Sequence, residues 1–311
     1  MSSTEKPSPR KRSGSSRSRG RRKPARKRAK AKRSAKGFGL VWFLLGLLAG
    51  AVAVWVVVPP RPVPSPLPTP VPSPSPVPSP LPSPSPTPRV EGVLYLIIDD
   101  AGYSLDQVAP FLSLPFPLTV SVLPGLPLSK EVALKVQEAG KTLFLHLPME
   151  PEGDEDPGPG ALYVSMSWNE IEKVIAEDLA SVPGVQGVNN HMGSRFTKDP
   201  LRMEWILSIL AAGGLLFVDS RTTAESVVRE TALRLGVPVM ERDVFLDNEQ
   251  TEAYVEQAFM HAVQIARRRG RAVAIGHVWT RVLPGVLDRM ADRARNEGVI
   301  LGDILEVLER R

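Results

Sequence analysis

The chain has 311 residues, no cysteine, 39 Lys and Arg against 33 Asp and Glu, and a formal net charge of +6. Without cysteine no disulfide framework is available, so any ordered part must rest on its own core. The charge is unevenly placed: residues 1–36 hold about 16 of the basic residues and only Glu5 on the acidic side, which leaves residues 90–311 with a net charge near −11.

Residues 1–36 are too charged and too poor in apolar side chains to fold, and read as a disordered basic tail. Gly37 to Val58 then runs without a charge. About 22 residues at 1.5 Å each span a hydrocarbon core, so residues 37–58 are expected to form a transmembrane helix, with Trp42 and Trp55 as interface anchors. A cleaved signal peptide is the competing reading. The apolar run is longer than the usual h-region, and Val56-Val57-Val58-Pro59-Pro60 lacks the small residues of a cleavage site, which favours an uncleaved signal anchor. The positive-inside rule places the tail in the cytoplasm and everything after Pro59 in the periplasm or cell envelope. Topogenic charge and attraction to anionic headgroups account for the basic block with fewer assumptions than nucleic-acid binding. In residues 59–89 nearly every second residue is proline. The backbone is held near polyproline II, which gives a semi-rigid stalk of up to about 90 Å.

Residues 90–311 read as a single α/β domain. Short β-branched runs, at Val93–Ile98, Leu118–Val122, Thr142–Leu145, Val185–Val188, Leu215–Val218, Val237–Met240, Ala272–Ile275 and Val299–Leu301, alternate with amphipathic stretches. Helices are predicted near Ser104–Leu112, Ser129–Ala139, Trp168–Ser181, Leu201–Ala212, Thr223–Leu235, Glu249–Arg269 and Pro284–Asn296. Ser167 and Glu170 stand at capping-box spacing, and Gly140, Gly213, Gly236 and Gly270 sit at helix stops. The alternation predicts a distorted or incomplete (β/α) barrel, which forms its sites beyond the carboxyl ends of the strands. Polar groups gather there: Asp99-Asp100 after the first strand, His146 after the third, Asn189-Asn190-His191 after the fourth, Asp219-Ser220-Arg221 after the fifth, and His277 after the seventh.

Taken singly, each has a structural reading. A strand-end Asp is often a cap or turn residue, His146 reads equally as a packed core histidine, and His277 as a helix cap. His261, within a predicted helix, receives no role. The combination carries more. Adjacent carboxylates repel, and a strand that delivers both to its edge commonly gives one a metal and the other a proton to move.

The motifs Ile97-Ile98-Asp99-Asp100-Ala101-Gly102-Tyr103, Leu145-His146-Leu147-Pro148-Met149-Glu150, Asn189-Asn190-His191-Met192-Gly193-Ser194-Arg195, Phe217-Val218-Asp219-Ser220-Arg221 and Ile275-Gly276-His277 occur in order over residues 90–308. In this sequence of motifs the chain resembles the divergent branch of the polysaccharide deacetylases. The resemblance implies a metal-dependent hydrolase that removes N-acetyl groups from a cell-envelope glycan. It implies Asp99 as the base, Asp100 and His146 as ligands of a divalent metal, expected to be Zn2+, and His277 as the acid for the leaving amine. Asp219 is the expected carboxylate on His277, and Arg195 the expected cation beside Asp99. The ordinary family takes two metal histidines from one His-x-x-x-His, whereas the position four after His146 is Glu150. Pro148 lies between, so helical spacing does not apply. The third ligand is expected to be His191, with Glu150 as the alternative. The rival to an enzyme is a non-catalytic envelope protein that binds glycan and uses the metal structurally.

Overall fold

The computed structural model describes residues 90–309. The basic tail, the apolar segment and the proline-rich stalk read from the sequence lie outside the described residues. Among the described residues, no helix is long and apolar enough to cross a membrane.

The strands are β1 (Gly92–Ala101), β2 (Thr119–Val122), β3 (Thr142–Met149), β4 (Gly187–Met192), β5 (Leu216–Asp219), β6 (Val239–Glu241), β7 (Val244–Phe245), β8 (Arg271–His277) and β9 (Val299–Gly302). They form one sheet in the order β6-β5-β4-β3-β2-β1-β8-β7, with β9 beside the first half of β1. Every pairing is parallel. Helices α1 (Leu105–Leu112), α2 (Ser129–Glu138), α3 (Trp168–Ser181), α4 (Pro200–Ala212), α5 (Val228–Leu235), α6 (Glu252–Arg269) and α7 (Leu283–Asn296) make the crossovers, and α8 (Glu306–Glu309) follows β9. β6 and β7 are the exception, because no helix separates them. They lie at opposite edges of the sheet, yet only Arg242 and Asp243 stand between them. The Arg242 amide donates to Asp219 O on β5 at 2.9 Å and the Asp243 amide to Val273 O on β8 at 2.8 Å. One peptide step thus bridges both edges, and the sheet curls into an incomplete barrel.

The two-residue period of the strands sorts side chains into two cores. Leu94, Leu96, Ile98, Val120, Leu145 and Val188 face the helices. Tyr95, Ile97, Phe144, Leu216, Val218 and Ile275 fill the inside of the curl, where Ile304 joins them after β9. Gly187 makes the inner packing possible, since a Cβ there would strike the Phe144 ring. Its lack of a side chain gives that ring its place.

Several predicted boundaries move for identifiable reasons. β3 continues through Pro148 to Met149, and β8 through His277, so both histidines belong to strands rather than to the loops after them. The helix expected from Thr223 begins only at Val228, because the Ser226 hydroxyl turns back to Asp219 at 2.7 Å. The capping box at Ser167 and Glu170 is present.

Candidate functional site

Continuing the inner register beyond the apolar core replaces hydrocarbon with polar groups. Tyr95 and Ile97 are succeeded by Asp99 on β1, Phe144 by His146 on β3, Gly187 by Asn189 and His191 on β4, and Ile275 by His277 on β8. Strict alternation would send Asp100 to the opposite face. Instead the β1–β2 register is interrupted by a bulge between Ile98 and Ala101, and Asp100 has φ 65°. A left-handed non-glycine residue costs about 1 kcal/mol or more. Here that conformation brings both carboxylates to the same side.

Asp100 Oδ1 lies 3.3 Å from His146 Nε2 and 3.1 Å from His191 Nδ1, and the two nitrogens are 3.1 Å apart. Three ligand atoms on a tetrahedral zinc, each about 2.0–2.1 Å from the ion, stand about 3.3–3.4 Å from one another, so the observed triangle is of ligand size. Its chemistry fits as well. Asn189 Nδ2 donates to Asp99 Oδ1 and Oδ2 at 2.9 and 3.0 Å, which leaves Asn189 Oδ1 to accept from His146 Nδ1 at 3.0 Å. That bond puts a proton on Nδ1 and turns Nε2, the nitrogen left for ligation, toward the cluster, where a cation would take the place of the Nε2 proton. Asp100 Oδ1 is buried and accepts no hydrogen bond among the described residues. Burial works against the Asp100 charge, but His146 and His191 hold the carboxyl well below the usual carboxylate range. Burial likewise opposes charge on His146, yet Asp99 and Asp100 outweigh it and push the imidazole up to about 9. The cluster demands positive charge, which a divalent cation meets.

On the far side of Asp99 stands His277. Its Nδ1 donates to Asp247 Oδ1 at 2.9 Å and its backbone amide to Asp247 Oδ2 at 2.8 Å. Thr280 Oγ1 donates to the same Oδ2 at 2.6 Å. Burial disfavours the imidazolium, but Asp247, with Asp99 and Asp100 behind it, raises the His277 pKa above its ordinary value. The ring lies between Phe245, 5.7 Å away centroid to centroid, and Trp279, at 4.7 Å and 17°. The Arg242 guanidinium sits 3.7 Å over Phe245. Trp279 Nε1 donates to Asp100 Oδ2 at 2.8 Å.

The structure brings together five of the predicted residues: Asp99, Asp100, His146, His191 and His277. It separates three others. Asp219 does not partner His277. Its oxygens accept from the Arg221 amide at 2.8 Å and from Ser226 Oγ, and the loop after β5 closes over it. Arg195 does not accompany Asp99. It is 57% exposed and pairs with Glu150 Oε1 at 3.2 Å. Half-buried Arg242, whose Nε and Nη2 donate to the carbonyls of Ser220 and Arg221, adds positive charge on the Asp99 side instead. Glu150, the alternative ligand, gives Oε2 to the Val164 amide at 2.7 Å and so braces the loop after β3. His261 is exposed on α6. Sequence reasoning placed Asn189 at the polar edge without giving it a role, and it missed Asp247 and Trp279. Asp247 did carry a signal, since Val244-Phe245-Leu246-Asp247 repeats the apolar-run-then-Asp pattern of Asp99 on a run too short to read as a strand.

A curled parallel sheet that collects its carboxylates and imidazoles at the carboxyl ends of its strands places the chain among the barrel proteins that carry their sites on that face. The divergent polysaccharide deacetylase model matches residues 96–308, and the chain belongs to that family. It is 37% identical over 186 residues to the uncharacterized protein YibQ of Escherichia coli K12, covering 60% of this chain and 58% of that one. It is 33% identical over 184 residues to an uncharacterized protein of Haemophilus influenzae Rd, covering 59% and 66%. Each match therefore spans less than two thirds of the curated relative. Among solved structures, the uncharacterized protein ATU2773 of Agrobacterium tumefaciens C58 shares the fold, with a TM-score of 0.66 and 22% identity over 70% of this chain and 89% of that one.

Proposed function

We propose that the protein is a divalent-metal-dependent hydrolase, with zinc the expected ion, that removes N-acetyl groups from a cell-envelope glycan. The observation that carries this reading is the ligand-sized triangle of Asp100, His146 and His191 with a second buried carboxylate, Asp99, beside it and outside it. A structural cation needs ligands only, whereas hydrolysis also needs a base. Membership of the family supports a carbohydrate substrate, and the reading of residues 37–58 as a membrane anchor supports an envelope location.

A cation bound by the triangle supplies polarisation of the amide carbonyl and acidifies water. The chain's own residues do the rest. Asp99, held on both oxygens by Asn189, takes a proton from water as the water oxygen adds to the carbonyl carbon. His277, kept cationic by Asp247, delivers a proton from Nε2 to the amide nitrogen as the C–N bond breaks, leaving acetate and a free amine. The exposed face of Trp279 offers a flat apolar surface for the C–H face of a sugar ring.

The test is to purify the chain, measure bound metal, and assay acetate release from N-acetylglucosamine oligomers and peptidoglycan fragments beside Asp99→Asn. The expected result is unchanged metal content with a loss of activity of about 10²–10⁴-fold. Metal retained by the parent protein with no acetate from any glycan would replace the enzyme by a glycan-binding protein with a structural ion.

A further inference from the structure

We infer that Trp279 is a positioning residue that ties the Asp100 carboxylate to the His277 ring, so that the cation site and the proton donor keep one fixed separation. The inference deepens the metal-centre reading and rests on it.

Trp279 touches both halves of the site through different atoms. Its indole N–H donates to Asp100 Oδ2 at 2.8 Å, and its ring stacks on His277 at 4.7 Å. Because Asp100 arrives through a left-handed residue in a bulge, its backbone does not share the regular ladder that fixes His146 and His191. The carboxylate needs a hold from its own surroundings. With Oδ2 taken by the indole, Oδ1 is the oxygen presented to the two imidazoles, and it is the one that accepts no hydrogen bond. A hydrogen bond to the outer oxygen of a liganding carboxylate fixes its rotation and favours single-oxygen ligation.

The indole is itself held. The segment from His277 to Thr280 is pinned by Val278 N to Asp99 O at 3.0 Å, by Thr280 N to His277 O at 3.1 Å, and by the Thr280 hydroxyl on Asp247. Trp279 nevertheless remains 39% exposed. Core packing alone does not require a large aromatic at so exposed a position, whereas a donor aimed at a carboxylate and a plane laid on an imidazole both require one of this shape.

The test uses the full chain and the metal alone. Zn2+ affinity is measured by competition with a chromophoric chelator, and the visible spectrum of the Co2+ form is recorded, for the parent protein and for Trp279→Phe. A second variant carries benzothienylalanine at position 279, which keeps the bicyclic ring and the stack but has sulfur in place of N–H. Both variants are expected to bind Zn2+ about 10-fold or more weakly, the range for losing a partner of a metal ligand, and to show an altered Co2+ spectrum. Because the benzothienyl ring fills the same volume, a loss of affinity there is assigned to the missing donor rather than to packing. Parent-like affinity and an unchanged Co2+ spectrum in the benzothienyl variant overturn the inference while leaving the metal centre standing. A parent protein that binds neither ion overturns the metal-centre reading and this inference together.

Discussion

The two halves of the site are built on opposite logic. At the ends of β1, β3 and β4, the ligand atoms of Asp100, His146 and His191 point at one another, and a buried Asp100 oxygen accepts no hydrogen bond among the described residues. At the ends of β7 and β8, both carboxylate oxygens of Asp247 are answered by His277 or Thr280, and the imidazole is flanked by two aromatic rings. The first half keeps an electrostatic demand that a cation of the proposed kind would meet, while the second meets its demand from within the chain. A strand end therefore does not define its chemistry by residue type alone. Asp219 closes the four-residue β5 and Asp247 follows the two-residue β7, and both are buried, yet the loop over Asp219 seals it and the loop over Asp247 turns it toward a histidine.

The sharpest way to break this contrast is to remove a residue from the outward-dependent half. His191→Ala is expected to abolish metal binding and, with it, a stabilisation of about 4 kcal/mol at zinc concentrations near 1,000 times Kd, read as a thermal shift of the parent protein that the variant lacks. Parent-like zinc stabilisation in that variant would move the third ligand elsewhere. The self-contained half should fail differently. Asp247→Asn is expected to keep its zinc and lose about 10²-fold in acetate release. His277 acts protonated, so activity falls as pH rises through its raised pKa. Removing Asp247 lowers that pKa and moves the alkaline limb to lower pH, with Asp99 and Asp100 left as the facing carboxylates.

Two smaller effects sharpen the comparison by lying outside both halves. On α3, Asp178 is buried, and burial together with Glu177 pushes its carboxyl up to about 8, with Oδ2 accepting no hydrogen bond. The folded state keeps a proton that the unfolded chain has lost, so this residue's contribution to stability is present at low pH and lost as pH rises from about 4 to 8. Asp178→Asn should flatten that slope and stabilise the protein by about 2 kcal/mol near pH 8, measured by urea unfolding across pH. Arg195→Ala removes an ion pair between an exposed guanidinium and the half-buried Glu150 and should cost about 1 kcal/mol, with acetate release nearly unchanged. A loss as large as that of Asp247→Asn would return Arg195 to the reacting atoms.

Much of the architecture was legible because parallel strands under helices read as apolar runs, and because a barrel puts its polar groups at the carboxyl edge. That placement singled out Asp99, Asp100, His146, His191 and His277, which the structure brings together. What the residues could not disclose was closure. Nothing in Asp219 or Asp247 as letters distinguishes a sealed aspartate from one that faces a histidine. The difference depends on Ser226 folding back and on β7, whose two residues are too few to show a period. Arg195 and Arg242 were exchanged for the same reason, since the cation nearer Asp99 arrives through the step between β6 and β7. Trp279 lay two residues past a singled-out histidine, where no periodicity applies.

That short step has a further consequence for how the protein comes apart. β7 contributes two residues to the sheet and pairs with β8 alone, whereas β1 to β4 share long ladders. Opening under mild denaturant should begin at this seam, where backbone pairing is thinnest. Phe245 then leaves the face of His277 while β1, β3 and β4 still stand. Along a urea series, turnover should vanish before bound metal is released, and amide exchange at Val244 and Phe245 should mark the concentration at which it does.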